Sequence, residues 1–133
     1  MKGFLIVVAL LAIWPMSSGK KYQMTADASV PAASGEIAVR RDKSNGNMKV
    51  DIKVDHLAQP ANLTPPENAY VVWIRPSGEE AHKQGSLGVD KDLKGELRVI
   101  TNSKNFDVFI TAEQSGSVTT PSGVQILQAH VSQ

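Results

Sequence analysis

The chain of 133 residues contains no cysteine. That one absence removes disulfide staples, thiolate nucleophiles, zinc-thiolate sites and blue-copper ligation, since each needs a cysteine sulfur. Aromatic side chains are few, at 5%, and neither charge sign dominates: fourteen Lys plus Arg stand against thirteen Asp plus Glu, for a net charge of +1. No basic excess exists to neutralise a phosphate backbone, so nucleic acid is not an expected partner. Also missing are a Gly-x-Ser-x-Gly elbow, a glycine-rich phosphate loop and a Ser-x-x-Lys arrangement at a helix start. No catalytic residues are therefore assigned. With 41% apolar residues the chain is of ordinary globular composition, and at this length folding buries roughly 65% of the surface of the open chain, enough for a core without staples.

The only long apolar run is Phe4 to Trp14. Lys2 precedes it, and Pro15 and the small residues Ser17, Ser18 and Gly19 follow. This is a signal-peptide pattern. The run has eleven residues, against the ~20 a membrane-spanning helix requires. The expected organisation is a signal peptide over 1–19, cleaved near Gly19/Lys20, and a single domain over 20–133. The product is expected to be secreted or periplasmic, with no membrane anchor after cleavage. Loss of Lys2 leaves that product formally neutral.

Past the leader, no window repeats apolar residues at i, i+3, i+4 and i+7 over a helix length. Period two is strong instead. Val50, Ile52 and Val54 alternate with Asp51, Lys53 and Asp55 in Met48 to Leu57, the mark of a half-buried strand. Glu36 to Arg41 precedes it across Asp42–Asn47, where Asn45-Gly46 is suited to the positive φ of a tight hairpin. Lys49 and Lys53 are read as guards against edge-to-edge pairing. Residues 58–68 contain Pro60, Pro65 and Pro66 and form a long connection that crosses between sheets. Ala69 to Arg75 is apolar on both alternating faces, as in a central strand covered on both sides. Residues 79–85 are polar and read as a loop. Ser86–Val89, Gly95–Thr101, Phe106–Glu113 and Gly123–Val131 are further strands, and Thr25–Val30 is a first one. The expectation is an all-β, antiparallel two-sheet sandwich of seven or eight strands, immunoglobulin-like.

From Tyr70 onward the pattern resembles the extracytoplasmic C-terminal domain of anti-sigma-K factors, a bacterial membrane-regulator family. Tyr70-Val71-Val72-Trp73-Ile74 is similar to that family's Tyr-x-x-Trp strand, and Gly85-Ser86-Leu87-Gly88 with Asp90 to its small-residue hairpin. Phe106 to Glu113, with Thr111, resembles its Phe-x-Val-Thr-x-Glu strand. Ser117 followed by Thr120-Pro121-Ser122-Gly123 resembles its Gly-Ser-x-x-Pro-Thr-Gly turn, with Ser122 where Thr is usual. Tyr70, Trp73, Gly88, Thr111, Glu113 and Pro121 carry the resemblance and are read as structural. Members of the family also have a cytosolic sigma-binding region and a transmembrane helix, where this chain shows a signal peptide. The resemblance thus implies a β-sandwich in the cell envelope with a binding or sensing role, without direct capture of a sigma factor, and it implies no cofactor.

Binding residues concentrate in loops on a rigid scaffold, so Arg75 at a strand end and Pro60, Pro65 and Pro66 are the candidate contacts for an envelope protein or cell-wall component. His56, His82 and His130 share no metal-ligand spacing, and no metal site is assigned. Two alternatives stay open: a periplasmic copper-binding module using Met24, Met48 and the histidines, and a hydrolase whose residues converge only in the fold. Glu79-Glu80 reads as a solvated loop, and Asn62-Leu63-Thr64 is a chance glycosylation triplet. An aromatic platform for sugar stacking would require an uncovered sheet face bearing Trp73 or Phe109.

Overall fold

The computed structural model describes residues 19–133. The expected signal peptide lies outside the described residues apart from Gly19. Nine strands follow in order: β1 (Lys20–Gln23), β2 (Thr25–Ala26), β3 (Ser34–Arg41), β4 (Met48–Asp55), β5 (Ala69–Pro76), β6 (His82–Leu87), β7 (Gly95–Thr101), β8 (Asn105–Glu113) and β9 (Val124–Ser132). They form two sheets, one of order β1-β3-β4-β7 and one of order β2-β9-β8-β5-β6, with every pairing antiparallel. The fold is all-β, as the period-two pattern required.

Alternation decides which side chains enter the space between the sheets. Ile37 and Val39 from β3 and Val50, Ile52 and Val54 from β4 point inward, opposite Tyr70, Val72 and Ile74 from β5 and Phe106, Val108 and Ile110 from β8. All are at most 3% exposed, so each contributes roughly 1.5–3 kcal/mol by leaving water. Leu127 and Val131 of β9 complete the layer. On the other face of β5 and β8, Val71, Trp73 and Phe109 form a second small cluster, covered by Ala81 and Val118 from flanking loops. The central strand is thus covered on both faces, as its sequence predicts.

The 58–68 connection does carry the chain from one sheet to the other, leaving β4 and entering β5. Its single regular piece is a turn of 3₁₀-helix at Pro60–Asn62. Tyr70 anchors it by donating its buried hydroxyl to the Ala58 carbonyl at 2.6 Å.

Five expectations are corrected. Strands among the described residues number nine rather than seven or eight, because Lys20–Gln23, polar and mostly exposed, pairs along β3 from Lys20↔Val39 to Gln23↔Glu36. An edge strand buries too little to show an apolar alternation. The first strand stops at Ala26 rather than Val30, since the Val30 amide turns back onto the Asp27 carbonyl. His82–Gln84, read as loop, is the first half of β6, an edge strand broken by a bulge opposite Val72/Trp73. Lys49 and Lys53 are not edge guards, because β4 lies inside its sheet between β3 and β7. The β3–β4 hairpin also closes more loosely than a two-residue turn: the Gly46 amide bonds the Asp42 carbonyl at 2.7 Å, and Gly46 alone takes positive φ, at 75°.

Candidate functional site

The residues singled out as resemblance positions divide by their place in the fold. Trp73, Thr111 and Glu113 face outward from the five-stranded sheet, on β5 and β8. Trp73 pairs with Phe109 in the register and stacks on it at 6.5 Å between ring centroids. Its indole Nε1 donates to Thr111 Oγ1 at 2.8 Å, and that hydroxyl donates to Glu113 Oε2 at 2.5 Å. Beyond the strand the chain loops through 114–123 and returns over the same carboxylate. Ser122 gives its amide to Oε2 at 3.1 Å and its hydroxyl to Oε1 at 2.7 Å, and the Gly123 amide reaches Oε2 at 3.2 Å. Pro121, itself exposed, immediately precedes these donors.

Glu113 is 1% exposed and has no cationic partner among the described residues. A buried carboxylate is tolerable only when hydrogen bonds replace its water. Burial pushes its pKa up, but the donors from Thr111, Ser122 and Gly123 outweigh burial and hold it below the ordinary 4.5. It therefore stays ionised at neutral pH, and its donors occupy both oxygens. Such a group staples a loop: Oε2 takes three donors and Oε1 one, and two of the four come from backbone amides of the returning chain. The sequence shows Ser122 only as a substitution in a turn, and Gly123 only as a small residue. The need for glycine comes from the fold, because a Cβ there would collide with the Ala112 carbonyl oxygen.

Tyr70 lies in the core, and burial pushes its pKa up to about 12. Gly88 is exposed in the turn between β6 and β7, where its carbonyl approaches Gly95 so closely that a Cβ on Gly95 would overlap it.

The candidate contacts do not form one surface. Arg75 sits at the end of β5, with its guanidinium 4.8 Å above the Phe109 ring and 3.6 Å from Asp107. Pro60, Pro65 and Pro66 lie before the start of β5, so the length of strand from Ala69 to Arg75, ~20 Å at ~3.3 Å per residue, separates the two groups. Pro65 and Pro66 are exposed and Pro60 is half-buried. No aromatic platform is open on this face: Trp73 is fully buried and Phe109 is 3% exposed.

The histidines are scattered over three elements. His130 Nδ1 lies 2.7 Å from Asp107, His82 lies 3.8 Å from Glu79, and His56 lies 3.6 Å from Asp55. Met24 and Met48 are buried in the core away from solvent. Among the described residues no three His, Asp or Glu side chains gather as a metal site, and no serine hydroxyl bonds a histidine ring.

The outer face of the four-stranded sheet carries charges in rows set by the register. Gln23, Glu36, Lys53 and Glu96 make one row; Lys21, Ala38, Asp51 and Arg98 make the next; Arg40, Lys49 and Ile100 make a third. Arg98 Nε lies 3.7 Å from Asp51 and 3.1 Å from Glu96. Burial and the adjacent Glu96 raise the Asp51 pKa, and Asp51 Oδ1 is shielded without a hydrogen-bond partner. One end of this face is acidic and the other cationic.

No known protein-family model matches the chain, and no curated protein matches it.

Proposed function

We propose that this chain is a non-enzymatic binding or sensing domain of the bacterial cell envelope, exported by its leader, similar to the extracytoplasmic domain of anti-sigma-K factors. The observation that carries this reading is the convergence of three of the six resemblance positions, Trp73, Thr111 and Glu113, with the turn that follows a fourth, Pro121. Trp73, Thr111, Glu113 and the turn after Pro121 are spread over some fifty residues, yet they join in one hydrogen-bond chain. Motif residues that meet in a buried staple serve a scaffold, and a scaffold acts through its surface. The likeness to immunoglobulin domains is one of layers. The order β9-β8-β5-β6 parallels G-F-C-C′ of variable-type domains, with β2 added outside, whereas β3 and β4 form a hairpin in the sheet where an immunoglobulin domain sets E beside B.

The test is crosslinking of the tagged full chain in its own envelope, followed by mass spectrometry. A membrane regulator captured in amounts that rise with crosslinker supports the reading. Recovery of the chain alone, with copper or zinc near one per chain, would overturn it in favour of metal handling.

A further inference from the structure

We infer that the cationic end of the four-stranded sheet's outer face is a docking site for an extended acidic segment of a protein partner, one with acidic side chains at alternate positions. This rests on the binding-domain reading above and names the partner's chemistry. Among the described residues, none of Lys21, Arg40 and Lys49 has a carboxylate within ion-pair reach. Asp42 faces Lys49 only at longer range. These three cations and Arg98, which already pairs with Asp51 and Glu96, surround a hollow of about 800 Å³ that Lys20 and the single carboxylate of Asp51 also line, floored by the small Ala38 and flanked by Ile100, which is 64% exposed.

The spacing argues for a polypeptide. Lys21 on β1 and Arg98 on β7 stand in one row, three strand spacings apart, or ~14 Å, with Arg40 and Lys49 between them in the next row. In an extended peptide alternate side chains recur every ~6.8 Å, so acidic groups at i, i+2 and i+4 span about the same distance. A segment lying across the strands between the two rows, clear of Asp51, sets its outer acids within reach of Lys21 and Arg98 and its middle one within reach of the long Arg40 and Lys49 side chains. Glu36 and Glu96 in the first row repel the same segment and confine it to this end.

The probe is a fluorescent peptide of alternating Glu and Val, titrated with the full chain and followed by anisotropy. The comparison peptide has the same composition with its glutamates grouped. The expected result is saturable binding that weakens with salt, at least about fivefold tighter for the alternating peptide. The double variant Arg40→Glu/Lys49→Glu should lose about tenfold or more in affinity, and Lys104→Glu, on a connection outside the hollow, should stay within about twofold. Circular dichroism verifies that both variants keep the wild-type strand signal. Equal affinity of the wild type and the double variant would overturn the assignment, as would equal affinity for the two peptides. Binding of phosphatidylglycerol vesicles without binding of the peptide would overturn it in favour of a lipid surface. If the double variant still captures the wild-type envelope partner, this site falls while the binding reading stands; if the wild type captures no partner, the binding reading itself fails.

Discussion

Replacing Glu113 by alanine removes the acceptor for four donors at once: the Thr111 hydroxyl, the Ser122 amide and hydroxyl, and the Gly123 amide. A hydrogen bond to a charged group contributes about 1.5–3 kcal/mol, but four that share one carboxylate are not additive, and some of the freed donors reach water when the loop opens. The expected loss for Glu113→Ala is about 4 kcal/mol, in the range for breaking a buried polar cluster by deleting one side. Glu113→Gln keeps an oxygen for the three donors on Oε2, and the Ser122 hydroxyl can turn to accept from the new amide. Only charge assistance is lost, and about 1–2 kcal/mol is expected. Urea unfolding followed by circular dichroism measures both. The pH dependence separates charge from packing. The folded-state pKa of Glu113 lies below 4.5, so its contribution is complete above that pH and is lost as pH falls through the folded value. Wild-type stability should therefore decline in acid more steeply than that of Glu113→Gln. A loss under about 1 kcal/mol for the alanine variant, or identical acid limbs for wild type and Glu113→Gln, would refute the staple.

Two further outcomes follow from the same face. Gly123→Ala forces a Cβ into the Ala112 carbonyl oxygen, where backbone opposes backbone; a loss of about 3 kcal/mol or more is expected in the same urea assay, and a neutral result would mean that the turn shifts freely. Asp107→Asn weakens the contacts to His130 and Arg75, both about half exposed, and should cost under about 1 kcal/mol by thermal unfolding; a larger loss would show a cooperative charged row.

How much of this was legible depends on how local each cause is. The strict alternation of β4 and the doubly apolar β5 announce themselves because burial on one face or two is written residue by residue along the strand. The sheet crossing at 58–68 is equally legible, since its prolines cannot feed a ladder. β1 and the first half of β6 are not, because edge strands form through backbone pairing, with little demand on side chains. Glu113 is hardest to read. Its neighbours in sequence offer one hydroxyl, Thr111, and the end of a strand, while the other three donors that make burial tolerable come from nine and ten residues away. The hollow at Lys21, Arg40 and Lys49 is likewise a product of register, which places one cation from each of three strands side by side.

The split of the N-terminal segment between two sheets sets an order of events in folding. β1 pairs with β3, a near neighbour in sequence, but β2, only two residues long, pairs with β9 at the other end of the chain, Thr25 opposite Gln128. The Tyr22 hydroxyl adds a bond to the Ser132 carbonyl across 110 positions. Long-range closures of this kind come late, after the loops they span have been ordered by nearer contacts. The β3–β4 hairpin is therefore free to assemble while the last strand is still being made, but the seam along β1, β2 and β9 closes only when both ends of the domain are present. Trimming either end should loosen the opposite one, so a protease that nicks residues 20–26 should speed amide exchange on the side of β9 that faced β2, around Leu127 and Gln128, while the side paired with β8 stays protected.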